Sequence, residues 1–391
     1  MDFVKLQDRE KELLLAIMKH TQITRKQLAS LLHMTNATLC RTVDSFRSEG
    51  ILITRKDEKN VVIGRPSDLV QFNKEYGYFF SICIRRFAYR TALIDFGFHI
   101  IDTQTFSCDA NSSAIEIRET CWNSLQHMMR THNVQESKII GITLASFSSR
   151  KMVSPHPGFS WVGVPDIRNF FQERFGCTVF WGHAAIAASC AKYYGTYFPD
   201  YKNLAYIILD EGIGIGYIID KKIARTSMRN VNALGHMIVD INGPKCYCGQ
   251  YGCLEAIVND FAITKRAQNA LKLKQTGLLF PKIDSLTIED ITEAAEKGDS
   301  IACQELEYSA SVLSVGIENF LRIFRLEVII ISGKLVKGSS FFFSTLKKRL
   351  LLHHPNLVVK TDDAEWENTL KGSAIWYMNE LLSLTPLPEL L

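Results

Sequence analysis

Gly235-His236-Met237-Ile238-Val239-Asp240-Ile241-Asn242-Gly243-Pro244-Lys245-Cys246-Tyr247-Cys248-Gly249-Gln250-Tyr251-Gly252-Cys253-Leu254-Glu255 is the stretch on which the reading of this chain turns. It holds His236-x9-Cys246-x-Cys248-x4-Cys253, one imidazole and three thiols, the closed tetrahedral donor set of structural zinc. Gly243-Pro244 and Gly249 supply the turns such a knuckle needs. Buried, unliganded cysteines are the bland alternative, and three thiols so close with a glycine among them argue against it. Cys246 and Cys248 lack the Cys-x-x-Cys spacing of redox pairs. The stretch therefore predicts one structural Zn2+ per chain, on His236, Cys246, Cys248 and Cys253.

The surrounding composition fits a metal in a reducing compartment. The chain has 391 residues and ten cysteines, too few over that length for a disulfide framework. A 47% hydrophobic content and a mean hydropathy of +0.01 exclude a disordered or collagen-like chain and allow two or three domains. No apolar run approaches the ~20 residues of a membrane helix. The opening Met1-Asp2-Phe3-Val4-Lys5 has no apolar core of a signal peptide, so a cytoplasmic location is expected. Forty-five basic against 41 acidic residues give a net charge of +4, too mild to identify a partner.

Upstream, charge is distributed unevenly. Between Lys19 and Arg65, nine basic residues face Asp44, Glu49, Asp57 and Glu58, an excess that suits a phosphate-facing surface. Leu13, Leu14, Ile17 and Met18 fall at helical spacing. Thr24-Arg25-Lys26-Gln27 reads as a capping box opening a second helix. His33-Met34 makes a tight connection, and Thr35 caps a third helix whose Leu39, Val43 and Phe46 face the core. The other side shows Ala37, Thr38, Arg41 and Ser45, with Asn36 at the start. This pattern predicts a helix-turn-helix entering the DNA major groove N-terminus first, with Arg41 suited to guanine and Asn36 to adenine. Gly50-Ile51-Leu52-Ile53 reads as a strand entering a wing, with Lys56 to Lys59 at the tip. Gly64-Arg65-Pro66 follows, and an Arg held extended by the next Pro suits a narrow minor groove. The expected DNA-binding set is Arg25, Asn36, Ala37, Thr38, Arg41, Ser45, Lys56 and Arg65. A small helical protein-interaction module followed by a plain linker is the alternative.

From Gly77 the period changes. Tyr78–Ile84, Arg90–Asp95 and His99–Phe106 predict an antiparallel meander. Helices are expected over 114–130, 166–175 and 184–194, strands over 138–145 and 178–181, and a second strand pair over 204–209 and 214–219. Beyond Cys253 the chain reads as helical, broken by the strand run Glu327-Val328-Ile329-Ile330-Ile331, with a last helix over 364–382. Two such blocks suggest a two-lobed α/β body. The apolar Ile375-Trp376-Tyr377 with Leu381-Leu382 fits either a subunit contact or a buried face within the chain.

The zinc stretch, quoted above, resembles the signature of the ROK family of repressors, open reading frames and sugar kinases. Thr35-Asn36-Ala37-Thr38-Leu39-Cys40-Arg41-Thr42-Val43-Asp44 with Glu49-Gly50 resembles the winged helix that ROK repressors carry and ROK kinases lack. Gly64-Arg65-Pro66 sits where those repressors join head to body. The resemblance covers essentially the whole chain. It implies an α+β multi-domain protein: an N-terminal winged helix-turn-helix (1–62), a linker (63–76), and a two-lobed ribonuclease H-like, actin-like ATPase body (77–391). It also implies a homodimer or homotetramer, and a cleft that binds a sugar or sugar phosphate.

The departures bear on activity. Where ROK kinases carry an Asp-x-Gly-x-Thr phosphate loop, this chain reads Cys83-Ile84-Arg85-Arg86-Phe87, with neither the glycine nor the carboxylate. His183 stands at the position of the kinase base, and Gly182 at that of a sugar-contacting Asn. Asp210-Glu211 precede Gly212-Ile213-Gly214-Ile215-Gly216, where the family has Gly-Thr. Ala233 replaces the sugar-binding Glu of Glu-x-Gly-His, while His236 and Glu255 remain. These changes predict no phosphotransfer and weak binding of an ordinary hexose. An anionic or aromatic ligand beside His156, Trp161, Trp181, His183 and Arg85 is the alternative cargo. His183, His236 and Glu255 are the expected ligand-binding residues. The expected function is a cytoplasmic ROK-type regulator of carbohydrate-related genes, acting on a double-stranded operator. A sugar kinase using His183 and a constitutive DNA binder with a scaffold body are the rivals.

Overall fold

The structure, a computed structural model, describes residues 2–20, 22–56, 68–85, 87–109, 112–146, 164–176, 179–195, 201–210, 212–224 and 234–383. The chain opens with α1 (Asp8–His20), β1 (Ile23–Thr24), α2 (Arg25–Leu31) and α3 (Asn36–Ser48), then β2 (Leu52–Lys56) and β3 (Asp68–Phe72). Both helix starts read from sequence are present. Thr24 and Gln27 form a reciprocal capping box on α2, and the Thr35 hydroxyl accepts from Thr38 N–H at the start of α3. His33, at φ 50°, turns the chain between them. The three strands pair antiparallel in the order β1-β3-β2. Asp68–Phe72, assigned to a linker from sequence, is thus the central strand of this small sheet, where Val70 and Phe72 are buried. Its alternation is short and begins beside Gly64-Arg65-Pro66, so turn residues outweighed it in the sequence reading.

The body contains two mixed five-stranded sheets. The first combines β4 (Tyr78–Ile84), β5 (Ala88–Asp95) and β6 (Ile100–Ser107), the expected meander, with α4 (Ala114–Thr131), β7 (Ile139–Ser146), α5 (Val164–Phe175) and β8 (Val179–His183), in the order β6-β5-β4-β7-β8. The long helix α6 (Ala184–Gly195) leads to the second sheet. There, β9 (Leu204–Leu209), β10 (Ile213–Ile219) and β11 (Lys222–Ile223) form an antiparallel edge. After α7 (Leu254–Val258), α8 (Asp260–Lys274), α9 (Ile288–Glu296) and α10 (Ser300–Ile323) come β12 (Val328–Ser332), α11 (Lys334–Gly338), α12 (Ser340–His353), β13 (Val358–Thr361) and α13 (Glu365–Leu381). The order is β11-β10-β9-β12-β13, with β12 parallel to both neighbours. β13, missed in the sequence, is an edge strand with only Val359 buried.

α6 and α13 pack together between the sheets at backbone distance. A Cβ on Gly372 would lie 1.7 Å from the Ala187 carbonyl oxygen, and one on Gly216 would lie 2.2 Å from that of Ala185. α13 buries Ile375, Trp376, Tyr377 and Leu381, with Leu382 just beyond it. The apolar final stretch is therefore a buried face within the chain, not a subunit contact.

The N-terminal unit shares its core with the body. Phe96 stacks on Phe3 at 5.9 Å and meets Phe72 edge-on at 5.1 Å, while Phe98 stacks on Phe79 at 5.7 Å. Lys19 of α1 donates to the Tyr193 hydroxyl of α6 at 3.0 Å. Among the described residues, no helix is long and apolar enough to cross a membrane.

Candidate functional site

The exposed face of α3 follows from its periodicity. Leu39, Val43 and Phe46 are buried, which turns Asn36, Ala37, Arg41 and Ser45 to solvent and leaves Thr38 half-buried. Thr38 shares a hydroxyl hydrogen bond with Thr35 at 2.9 Å. Arg25, expected to face phosphate, pairs instead with Asp44 at 2.8 Å, an acid that also takes Arg47 at 3.2 Å. Lys56 is exposed at the end of β2. Arg65 lies outside the described residues, as do Lys59 and the rest of Gly64-Arg65-Pro66.

The metal-ligating residues converge. Ligand atoms of His236, Cys246, Cys248 and Cys253 all lie within 4.8 Å of one another. Cys248 and Cys253 sulfurs are 3.6 Å apart, and the Cys246 sulfur is 3.6 Å from His236 Nδ1. Those separations match the edges of a tetrahedron with metal bonds of ~2.0–2.3 Å. Gly249 and Gly252 have φ of +93° and +70°, which ordinary residues rarely adopt. Burial keeps the His236 imidazole neutral by lowering its pKa, the form that donates a lone pair to a metal.

A residue that motif reading passed over extends this cluster. The Tyr247 hydroxyl is 3.3 Å from His236 Nε2 and also bonds the Glu255 carboxylate. Burial, then the nearby Glu255, raises the Tyr247 pKa and keeps it protonated. The phenol can therefore accept from the imidazole and donate to the acid. Glu255 in turn accepts from Ile213 N–H at 2.7 Å, at the start of β10. Metal knuckle and glycine-rich strand are thus joined through His236, Tyr247 and Glu255. The signal in the sequence was the Tyr between two ligands, which has no periodicity to mark it.

The ends of β4 and β9 do not form a phosphate cradle. Arg85, at the end of β4, pairs with Asp210 after β9 at 3.0 Å and with Glu365 at the start of α13. Its guanidinium also lies 3.8 Å from the centre of the Trp366 ring. Burial alone would lower its pKa; the carboxylates of Glu365 and Asp210 and the Cys83 sulfur outweigh that and raise it. Arg85 is therefore already neutralised and is not the anion holder considered from sequence. Burial raises the Glu365 pKa despite Arg85, and Ser332 donates to it at 2.8 Å. Asp210 also accepts from Lys334 N–H at 2.9 Å.

His183 is buried, and its Nδ1 accepts from Ala185 N–H at 3.3 Å at the opening of α6. The Trp376 ring covers Gly182 so closely that a Cβ there would lie 2.2 Å from it, so no Asn side chain fits. Trp181 donates to Ser146 at 2.9 Å. His183 thus ends β8 at the start of α6, while Glu255 meets the start of β10, the strand whose Gly216 packs on Ala185 of α6. His156, Trp161, Arg86, Glu211 and Ala233 lie outside the described residues.

Comparisons with known proteins agree with this architecture. The profile described as the ROK family matches residues 86–380. The xylose repressor of Bacillus spizizenii is 25% identical over 344 residues, which cover 87% of this chain and 86% of the repressor. A crystal structure of a ROK family transcriptional regulator, a homologue of the E. coli Mlc protein, superposes with a TM-score of 0.75 at 18% identity, covering 96% of this chain and 98% of that one. A ROK family glucokinase from Streptomyces griseus, in complex with glucose and AMPPNP, gives 0.63 at 21% identity over 76% of this chain and 98% of its own.

Proposed function

The chain belongs to the ROK family, and from that premise we propose that it is a DNA-binding transcriptional repressor of sugar-related genes without phosphotransfer activity. The observation that carries the reading is the exposed face of α3, where Asn36, Ala37, Arg41 and Ser45 stand opposite a buried apolar stripe. Similarity along nearly the full length of a xylose repressor supports it. Residues up to Phe72 form the winged helix-turn-helix in this reading, and 77–391 the effector and oligomerisation body. Two heads of a dimer read half-sites about one DNA turn apart or a multiple of that.

Loss of kinase chemistry has a structural basis. Arg85 and its two carboxylates fill the position where a kinase holds phosphate, and His183 spends Nδ1 on the start of α6. A zinc ion on His236 Nδ1, Cys246, Cys248 and Cys253 would fix the knuckle and supply no reaction step. The chain's own residues then act as follows. Tyr247 holds the His236 ring by its second nitrogen and orients Glu255. Glu255 and His183 present themselves to a sugar or sugar phosphate at the cleft. A ligand that binds one arrangement of the lobes more tightly shifts the balance between them. α6 starts just after His183 and its Tyr193 accepts from Lys19 of α1, so its displacement reaches the head directly.

Fluorescence anisotropy with DNA from the protein's own upstream region, at two salt concentrations and with a panel of pentoses, hexoses and their phosphates, tests the proposal. Salt-sensitive, sequence-selective binding released by one panel member is expected. Equal affinity for operator and scrambled DNA would overturn it.

A further inference from the structure

A cavity of about 330 Å³ lies at the junction of the N-terminal unit and the body, and none of its described lining residues belongs to the Arg85 or Glu255 groups. Its size is that of a small-metabolite site. Arg55 on β2 lines it from the head, and Lys74 from the connection after β3. His99, in the turn between β5 and β6, and Lys371 of α13 line it from the body. None of its described lining residues is acidic. Asp95 accepts from the His99 backbone N–H at 2.9 Å and meets that ring's Nδ1 at 3.1 Å, and its charge also reaches Lys371. Neither Arg55, Lys74 nor Lys371 makes a side-chain hydrogen bond or ion pair within the described residues. The Lys371 ammonium is half-buried, and burial lowers its pKa, with the charge of Asp95 opposing that shift and the charge of Lys192 adding to it. The floor is apolar, with the rings of Phe98 and Tyr194 buried beneath the rim.

We propose that this junction binds a small phosphate monoester, its dianion held by Arg55, Lys74 and Lys371 and its organic part resting on Phe98 and Tyr194. Three cations on three separate elements match a tetrahedral group with several acceptor oxygens and two negative charges, and the guanidinium offers a planar fork to two of them. A single carboxylate would leave part of that charge unmatched. Because Arg55 belongs to the head, Lys74 to the connection that follows it and Lys371 to the body, the bound anion ties the units together. It supplies a second input on head position, independent of any sugar in the cleft.

The test uses the full-length, zinc-replete protein without DNA, and 31P line broadening of inorganic phosphate at constant ionic strength. Saturable broadening is expected, displaced by phenyl phosphate at lower concentration than by further inorganic phosphate. Arg55→Gln and Lys74→Gln change exposed residues and should each weaken binding about tenfold, the loss of one charge-assisted hydrogen bond. Lys371→Met should weaken it likewise, while Arg41→Ala on α3 should leave it unchanged. Absence of saturable broadening overturns the proposal. So does binding that survives all three junction variants or that disappears with Arg41→Ala. Phenyl phosphate no tighter than inorganic phosphate overturns the role given to the aromatic floor. With no DNA present, the result stands apart from whether the protein represses.

Discussion

Replace Arg85 by Met, and two buried carboxylates lose their counter-ion. The Arg85 side chain is 8% exposed, Asp210 6% and Glu365 1%, so solvent screens little of their interaction. The relevant scale is then that of a buried pair broken on one side, about 3–5 kcal/mol, not the ~0–1 kcal/mol of a surface bridge. Methionine keeps most of the volume and a favourable contact with the Trp366 ring, so packing loss adds little. At an m-value of about 3 kcal/mol/M the urea midpoint should fall by roughly 1–1.7 M. The sign of the pH dependence also follows. Glu365 has a raised pKa in the folded state, so its contribution is full below the ordinary carboxylate range and fades as pH rises through the raised value. Without Arg85 that pKa rises further. The deficit of Arg85→Met relative to the wild type should therefore be small near pH ~4 and grow toward pH ~7. Adding Glu365→Gln should restore a large part of it, since a neutral amide needs no cation. Urea titrations at several pH values check all three points. A midpoint within about 0.3 M of wild type at neutral pH, or a deficit flat with pH, would refute the reasoning.

Zinc analysis of chelator-washed protein should give about one ion per chain, and Cys246→Ser should lower it; retention of full zinc by that variant would remove Cys246 from the donor set. Arg41→Ala should lose about 1–3 kcal/mol of discrimination between operator and mismatched DNA in anisotropy titrations, while Arg25→Ala, already paired with Asp44, should lose less. Tyr247→Phe should keep the fold yet weaken metal affinity about 10–100-fold in a competition assay with a chromogenic chelator. Phe96→Ala, which empties the ring cluster between head and body, should destabilise the protein by about 3–5 kcal/mol in thermal or urea unfolding.

What could be read from the sequence was what is local. Thr24 with Gln27 and Thr35 with Thr38 mark helix starts within four residues, and the three sides of the meander alternate on their own. The zinc donors are close in sequence apart from His236, and their chemistry narrows the choice of partner. Arg85 and Glu365 are 280 residues apart, and neither carries a neighbouring pattern that names the other. Arg85 therefore read as a free cation in a cleft. Phe96 and Phe98 read as residues of a tight turn, because nothing nearby indicates that Phe3 and Phe72 will cover them. Trp376 was balanced between a subunit contact and the core, and it is the glycine at position 182 that makes room for it in the core.

The ring cluster shared by Phe3, Phe72, Phe96 and Phe98 also limits how this protein can be rearranged by engineering. Exchange of the head at the linker would divide that cluster between two proteins. Here a cut after β3 would carry Phe3 and Phe72 away and leave Phe96 facing water. A foreign head would need an aromatic residue before its first helix and another in its last strand. Without them, the fused head would be held by the linker alone, and the body would no longer set its position.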